Sequence, residues 1–159
     1  MNAGVFSNMT DMTKYVQMLL LHGEPLFGRE VFDKAVQNHT PNMNGSRGLG
    51  VLYVDESYSQ TGDLFPAGSI GHCGHTGQSV FVDLKSGLYV IILSDATIAT
   101  VKKYGNQHYE EVMRMRQDIH NAIKADLQWT GYTGGLYSCA LTQQKPPSTK
   151  AGPATKNTA

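Results

Sequence analysis

The chain lacks an excess of charge of either sign. Lys plus Arg and Asp plus Glu stand at 13 each, so the net charge is zero. Gripping a phosphate backbone needs a surplus of cations, and this balance argues against nucleic acid as the main partner. Long apolar runs are also missing. The stretch around Met18 to Leu21 is far too short to cross a bilayer. No charged segment followed by an apolar one opens the chain, as a secretory signal would require. No membrane association is therefore expected, and a cytoplasmic location is the default. Cysteine is scarce. Cys73 and Cys139 allow one disulfide at most, and their spacing fits neither a disulfide framework nor a metal site. Thiols in a reducing compartment are the expectation. No internal repeat is visible, which leaves no basis for a repeat array.

What remains is 159 residues, 40% apolar and 16% charged, enough for one lightly charged globular domain with a modest core. Asn8 followed by Asp11 resembles a helix cap, and Met12, Tyr15, Val16, Leu19 and Leu20 recur at helical spacing after it. Met9, Met12 and Met18 read as part of a core stripe. His22-Gly23 is a natural stop. A shorter helix is expected over Arg29 to Gln37, with Val31, Phe32, Ala35 and Val36 on one side. Asn38 to Gly48 reads as loop, Leu49 to Val54 as a strand, and Glu56 to Ala67 as a polar surface loop. Gln78 to Val82 alternates polar and apolar. Asp83 to Gly87 is of hairpin length. Leu88 to Leu93 is nearly all apolar, as expected of a central strand buried on both faces. A long helix is expected from about Gln107 to about Leu127, with Val112, Met115, Ile119, Ile123 and Leu127 as its buried stripe. From Gly131 the composition turns to Thr, Gly, Ser, Pro and Lys, and residues 131–159 are expected to form a disordered tail behind a domain at 1–130. The fold class is α/β in the α+β sense: an antiparallel sheet flanked by helices.

The densest chemical signal is Gly71-His72-Cys73-Gly74-His75-Thr76-Gly77, leading directly into a strand. Glycine at that density lets a backbone approach another strand or a ligand closely. A strand with polar groups bordered by glycines is a plausible wall of an active site.

Four segments, in order, resemble the β-lactamase-related serine hydrolases, the superfamily of class C β-lactamases, DD-peptidases and esterases. Ala3-Gly4-Val5-Phe6-Ser7 with the helix after it is similar to that family's Ala-Gly-Leu-Phe-Ser-Thr helix start. Arg47-Gly48-Leu49-Gly50-Val51 resembles its Gly-Leu-Gly-Trp strand. The segment Gly71 to Gly77 resembles Gly-His-x-Gly-x-Thr-Gly, and Val80 to Asp95 resembles the hairpin that follows it. The resemblance runs from about Ala3 to about Leu127 and corresponds to the C-terminal portion of the family domain. It implies acyl transfer from an ester, amide or β-lactam to water, with a small-molecule or peptide acyl substrate and no cofactor. His72-Cys73-Gly74 matches the family's third motif, with Cys73 in the usual Thr or Gly slot. By resemblance the amide of His75 is an oxyanion donor, Gly74 keeps the strand bare for substrate, and His72 binds a carboxylate or polarises the proton network. Cys73, Thr76 and Gly77 line the substrate.

Two family motifs are not in place. No Ser-x-x-Lys occurs anywhere in the chain. Tyr104-Gly105-Asn106 spells Tyr-x-Asn, but after the third motif, and reads as coincidence. An oxyanion hole without its nucleophile binds but cannot form an acyl-enzyme. The missing N-terminal half, or self-association, would then cover apolar surface left exposed. His72 and His75, three apart, would face opposite sides of a strand, which disfavours a metal pair. Cys73 reads as a small buried residue rather than a catalytic thiol. Ser7 reads as a helix-start residue and Ser79 as packing or surface, since neither has a lysine three residues on. His22, His39, His108 and His120 carry no spacing signal and receive no role.

Overall fold

The computed structural model describes residues 4–43, 45–56, 60–95, 103 and 107–129. The tail from 131, Cys139 and the Tyr104-Gly105-Asn106 triplet lie outside the described residues.

Helix α1 spans Met9–Leu20. Asn8 caps it in an extended conformation, its Oδ1 accepting from the Asp11 amide at 3.0 Å while its Nδ2 donates to the Asp11 carboxylate at 2.9 Å. This satisfies one of the orphan donors of the first turn and puts an anion at the positive helix end. The helix stops where His22 and Gly23 take left-handed backbone and the Gly23 amide donates back to the Met18 carbonyl at 2.9 Å. Its buried face is Val16, Met18 and Leu19, with Met12 and Leu20 partly covered. Met9 and Tyr15, both expected in that stripe, are exposed at the surface. Helix α2, Arg29–Ala35, is shorter than expected and buries Phe32. Val31 faces solvent at 60% exposure.

Four strands follow: β1 Leu52–Tyr53, β2 Ile70–Cys73, β3 Ser79–Val82 and β4 Tyr89–Ile92. They form one antiparallel sheet in the order β1-β2-β3-β4. The strand expected over Leu49 to Val54 shrinks to two residues. Gly50 is left-handed and the Gly48 amide donates to the Val51 carbonyl, so the chain turns on itself before extending. The central, doubly buried strand is β3, not β4: all four β3 residues are buried, whereas β4 closes the order and leaves Tyr89 exposed. Among the described residues the all-apolar run therefore lies at the sheet edge, and the alternating-looking run inside it. The β3–β4 turn is held by Asp83, whose carboxylate accepts from the Lys85 amide and the Ser86 hydroxyl at 3.0 and 2.6 Å.

Helix α3 covers Gln107–Trp129. The sheet thus has a helix layer on each face. Ile70, Val80 and Val82 pack against α1 and α2 with Val16, Met18, Leu19 and Phe32. Phe81 points the other way, into a cluster with Leu52, Val54 and Phe65. The loop before β2 is not purely surface, since Thr61 and Phe65 within it are buried. Apolar side chains remain exposed at the N-terminal side, with Phe6 at 98% and Val5 at 85%.

Gly71 has no freedom to become anything larger. A Cβ there would run into the Phe81 ring and the Val80 carbonyl oxygen of the paired strand. Replacing Gly71→Ala is expected to destabilise the protein by about 1–3 kcal/mol through overpacking, read as a lower midpoint in urea unfolding. An unchanged midpoint would contradict this packing.

Candidate active site

Strand β2 ends at Cys73, and the chain returns into β3 through a turn over Gly74 to Gln78. The Gly74 amide donates to the Gln78 carbonyl at 2.7 Å, and the Gly77 amide to the Gly74 carbonyl at 3.3 Å. Gly77 sits at φ +100°, where an L side chain is strained, and a Cβ there would meet the Ser94 hydroxyl. Beside Gly74 lies the Gln78 carboxamide, whose Oε1 would be 2.6 Å from an added Cβ. Each glycine of the motif therefore has a packing neighbour on the protein itself.

The turn is bound from several sides. The Thr76 hydroxyl donates to Gln78 Oε1 at 2.8 Å, and Gln78 Nε2 donates to the Ser94 carbonyl at 2.5 Å. The Ser94 hydroxyl returns to the Thr76 carbonyl at 3.0 Å. Beneath the turn α3 delivers Arg116, only 3% exposed. Its Nε donates to the Gly77 carbonyl at 3.2 Å. Its Nη2 donates to the carbonyls of Gly74 and Gln78 at 2.8 and 2.9 Å, and its Nη1 to Gln60 Oε1 at 2.7 Å. A buried guanidinium is tolerable only when its N–H groups find acceptors, and here one turn supplies three of them.

The outer edge of β2 is only partly paired. Strand β1 pairs only with Ile70 and Gly71, so from His72 onward that edge has no strand partner among the described residues. The Gly74 carbonyl is held within the turn by the Gly77 amide and Arg116, so in the trans Gly74–His75 peptide the His75 N–H points the opposite way, out of the turn. The His75 amide makes no hydrogen bond among the described residues.

The side chains divide differently. His72 is half-buried, and its Nδ1 lies 3.0 Å from the Cys73 carbonyl. A carbonyl only accepts, so Nδ1 carries the proton and Nε2 the lone pair. Burial pushes the His72 imidazole below its ordinary value. The Cys73 hydrogen bond opposes this, and the positive charge of Arg47 adds a smaller push in the same direction as burial. His75 is exposed, its ring edge-on to Tyr109 of α3 with centroids 5.1 Å apart, and the Tyr109 hydroxyl lies 3.1 Å from Nδ1. Cys73 is half-buried and packs against the Phe81 cluster. Ser7 is exposed at the helix start and Ser79 is buried. No cluster of three metal-binding side chains occurs among the described residues.

The structure thus brings together His72 through Gly77 in one strand end and turn. It adds Arg116, Gln60, Ser94 and Tyr109, which carry no family motif. One signal for Arg116 was available: it falls four residues after Val112 and three before Ile119, inside the apolar stripe of α3. In that stripe Val112, Met115, Ile119, Ile123 and Leu127 are only half-buried, and the fully buried positions are Arg116 and His120. His120, given no role from sequence, is a core residue wedged edge-on between Phe65 and Phe81 at 5.4 and 5.9 Å.

The beta-lactamase family model matches residues 1–112, and the chain belongs to the beta-lactamase family. No curated protein sequence matches it. Among solved structures, a crystal structure of a beta-lactamase from Mycobacterium bovis aligns with a TM-score of 0.60 at 19% identity. The alignment covers 76% of this chain and 44% of that one, so this chain spans less than half the length of that structure. At this identity the likeness establishes a shared fold.

Burial lowers the His120 imidazole, with Arg116 adding to the effect and the Gln60 backbone opposing it. His72 is lowered for the same main reason. The unfolded chain therefore takes up protons that the folded one refuses. Stability should be full above the ordinary value of 6.5 and should fall as pH drops below it towards the lowered folded values. Urea midpoints measured at about pH 7.5 and about pH 5, either side of the ordinary histidine range, should show that loss. His120→Phe should remove part of it.

Proposed function

We propose that this chain supplies one wall of a beta-lactamase-like acyl-transfer site. The observation that carries this reading is the His75 amide, which points out of the turn after β2 with no hydrogen bond among the described residues, in the segment that resembles the family's third motif. An acyl substrate laid along that edge, as an added strand, would meet the His75 N–H at its carbonyl oxygen. As that oxygen becomes an oxyanion, a preorganised N–H stabilises it more than it stabilises the ground state. The backbone of Cys73 and the turn at Thr76 and Gly77 would border the acyl group, with Gly74 between them. His72, held neutral with its Nε2 lone pair available, suits proton transfer better than charge pairing with a carboxylate. The substrate class is an ester, amide or β-lactam, carried by a small molecule or a peptide, and no cofactor takes part.

The second oxyanion donor and the nucleophile would come from a Ser-x-x-Lys segment, which is absent from these residues. The chain alone therefore binds without turnover. That same absence favours a second reading, a non-catalytic binding module that keeps the sheet edge. In either case the exposed Val5 and Phe6 supply apolar surface for a second polypeptide, another copy or the N-terminal half of such a domain.

Two measurements test what these readings share, binding at this edge without turnover. The purified chain should show no hydrolysis of nitrocefin or p-nitrophenyl acetate above buffer, and turnover by it would refute the inert reading. Calorimetric titration with penicillin G should show binding that weakens in Gly74→Val, because the added side chain displaces the Gln78 carboxamide and disturbs the turn that carries the His75 amide. Binding that is unchanged in Gly74→Val contradicts a role for that edge.

A further inference from the structure

We propose that Arg116 is a positioning residue, which aims the His75 amide by holding the other end of the same peptide group. Its use in catalysis rests on the acyl-transfer reading above, while the geometry stands apart from it.

The peptide unit joining Gly74 to His75 is planar, and in the trans form its C=O and N–H point in opposite directions. Arg116 Nη2 holds the Gly74 carbonyl at 2.8 Å from inside the protein. The N–H of that unit belongs to His75, so it must point outward. Rotating it away would tear the Gly74 carbonyl from a buried cation and leave that cation short of an acceptor, which is costly. The same guanidinium holds Gln78 and Gly77 on the returning limb at 2.9 and 3.2 Å. The orientation of one peptide is thus fixed against both limbs of the turn.

The carbonyls differ in how much they depend on Arg116. That of Gly74 also accepts from the Gly77 amide, and that of Gln78 from the Gly74 amide. Among the described residues, Arg116 is the donor to the Gly77 carbonyl. The turn would therefore survive loss of Arg116 as a turn, while its tilt would be released. A second effect follows from charge. A cation on a carbonyl oxygen draws electron density through the peptide and makes its N–H a better donor, as in any hydrogen-bonded chain. Arg116 is buried, and its partners are neutral oxygens, so no carboxylate quenches this polarisation among the described residues. Lysine cannot reproduce the fork, since an ammonium presents a single point in place of a planar set of donors.

The test uses the full chain, labelled with nitrogen-15, with sodium benzoate as a simple oxyanion probe. In the wild type the His75 amide proton should move downfield as benzoate is added. In Arg116→Met, with far-UV circular dichroism retained, the free His75 amide should shift from its wild-type position while the β3–β4 amides stay in place. Benzoate affinity should fall about tenfold, the loss of roughly one hydrogen bond. Arg116→Lys guards against misfolding of the methionine variant and should keep the charge, stay folded and restore only part of the His75 position. A His75 resonance and benzoate response identical to wild type in either folded variant would overturn the proposal. Wild-type protein whose His75 amide ignores benzoate would refute the oxyanion role instead. The His75 position in the two variants would then still decide whether Arg116 aims that amide.

Discussion

The Arg116 guanidinium is the contact on which the rest of the site depends. It is a buried cation whose bonds go to three carbonyls of one turn and one side-chain amide. Desolvating such a group costs several kcal/mol unless its donors are satisfied, and the arrangement of α3, the 74–78 turn and Gln60 supplies acceptors together. The apolar stripe of α3 is half-buried and would by itself tolerate sliding. The guanidinium removes that tolerance, because a shift of one helical turn, about 5.4 Å, would strand it. Non-directional burial brings α3 to the sheet, and a directional polar contact sets where it stops.

The glycines serve the same end from the sheet side. Gly71 is bare because Phe81 fills its place, and Phe81 is in turn gripped by Phe65 and His120. Gly77 is glycine because the turn needs its left-handed backbone next to Ser94. These are structural demands made by the interior, and they explain the glycine density without a ligand. The side of the motif that they leave open is the outer edge of β2, where β1 stops after two residues. The motif therefore has two sides in one stretch of chain: an inner face locked by packing and an outward side where the His75 amide makes no hydrogen bond among the described residues.

Much of this was legible in the sequence. The cap at Asn8, the stop at His22-Gly23, the Asp83 turn and the extent of α3 follow from local rules about caps, left-handed residues and helical period. Family membership was legible from four motifs in order. What escaped were facts of pairing. Leu88 to Leu93 looks central because it is apolar, but whether a strand is central depends on what lies beside it, which no local pattern encodes. Ser79, read as packing or surface, is buried because it sits in the true centre. Arg116 and His120 were passed over because polar side chains inside an apolar stripe look like exceptions. Their partners lie 38 or more residues away in the chain, at Gln78 and beyond, and their value appears only when those partners are in place.

The arrangement at stake is a buried guanidinium, hydrogen-bonded across the 74–78 turn, that holds the His75 amide outward. Its most direct test is a long-range HNCO experiment on the Arg116 guanidinium of the labelled wild-type chain at neutral pH. The expected result is slowly exchanging guanidinium protons with through-hydrogen-bond correlations to the carbonyl carbons of Gly74, Gly77 and Gln78. A guanidinium that rotates freely, exchanges at the rate of solvent-exposed arginine and shows no such correlations would contradict it.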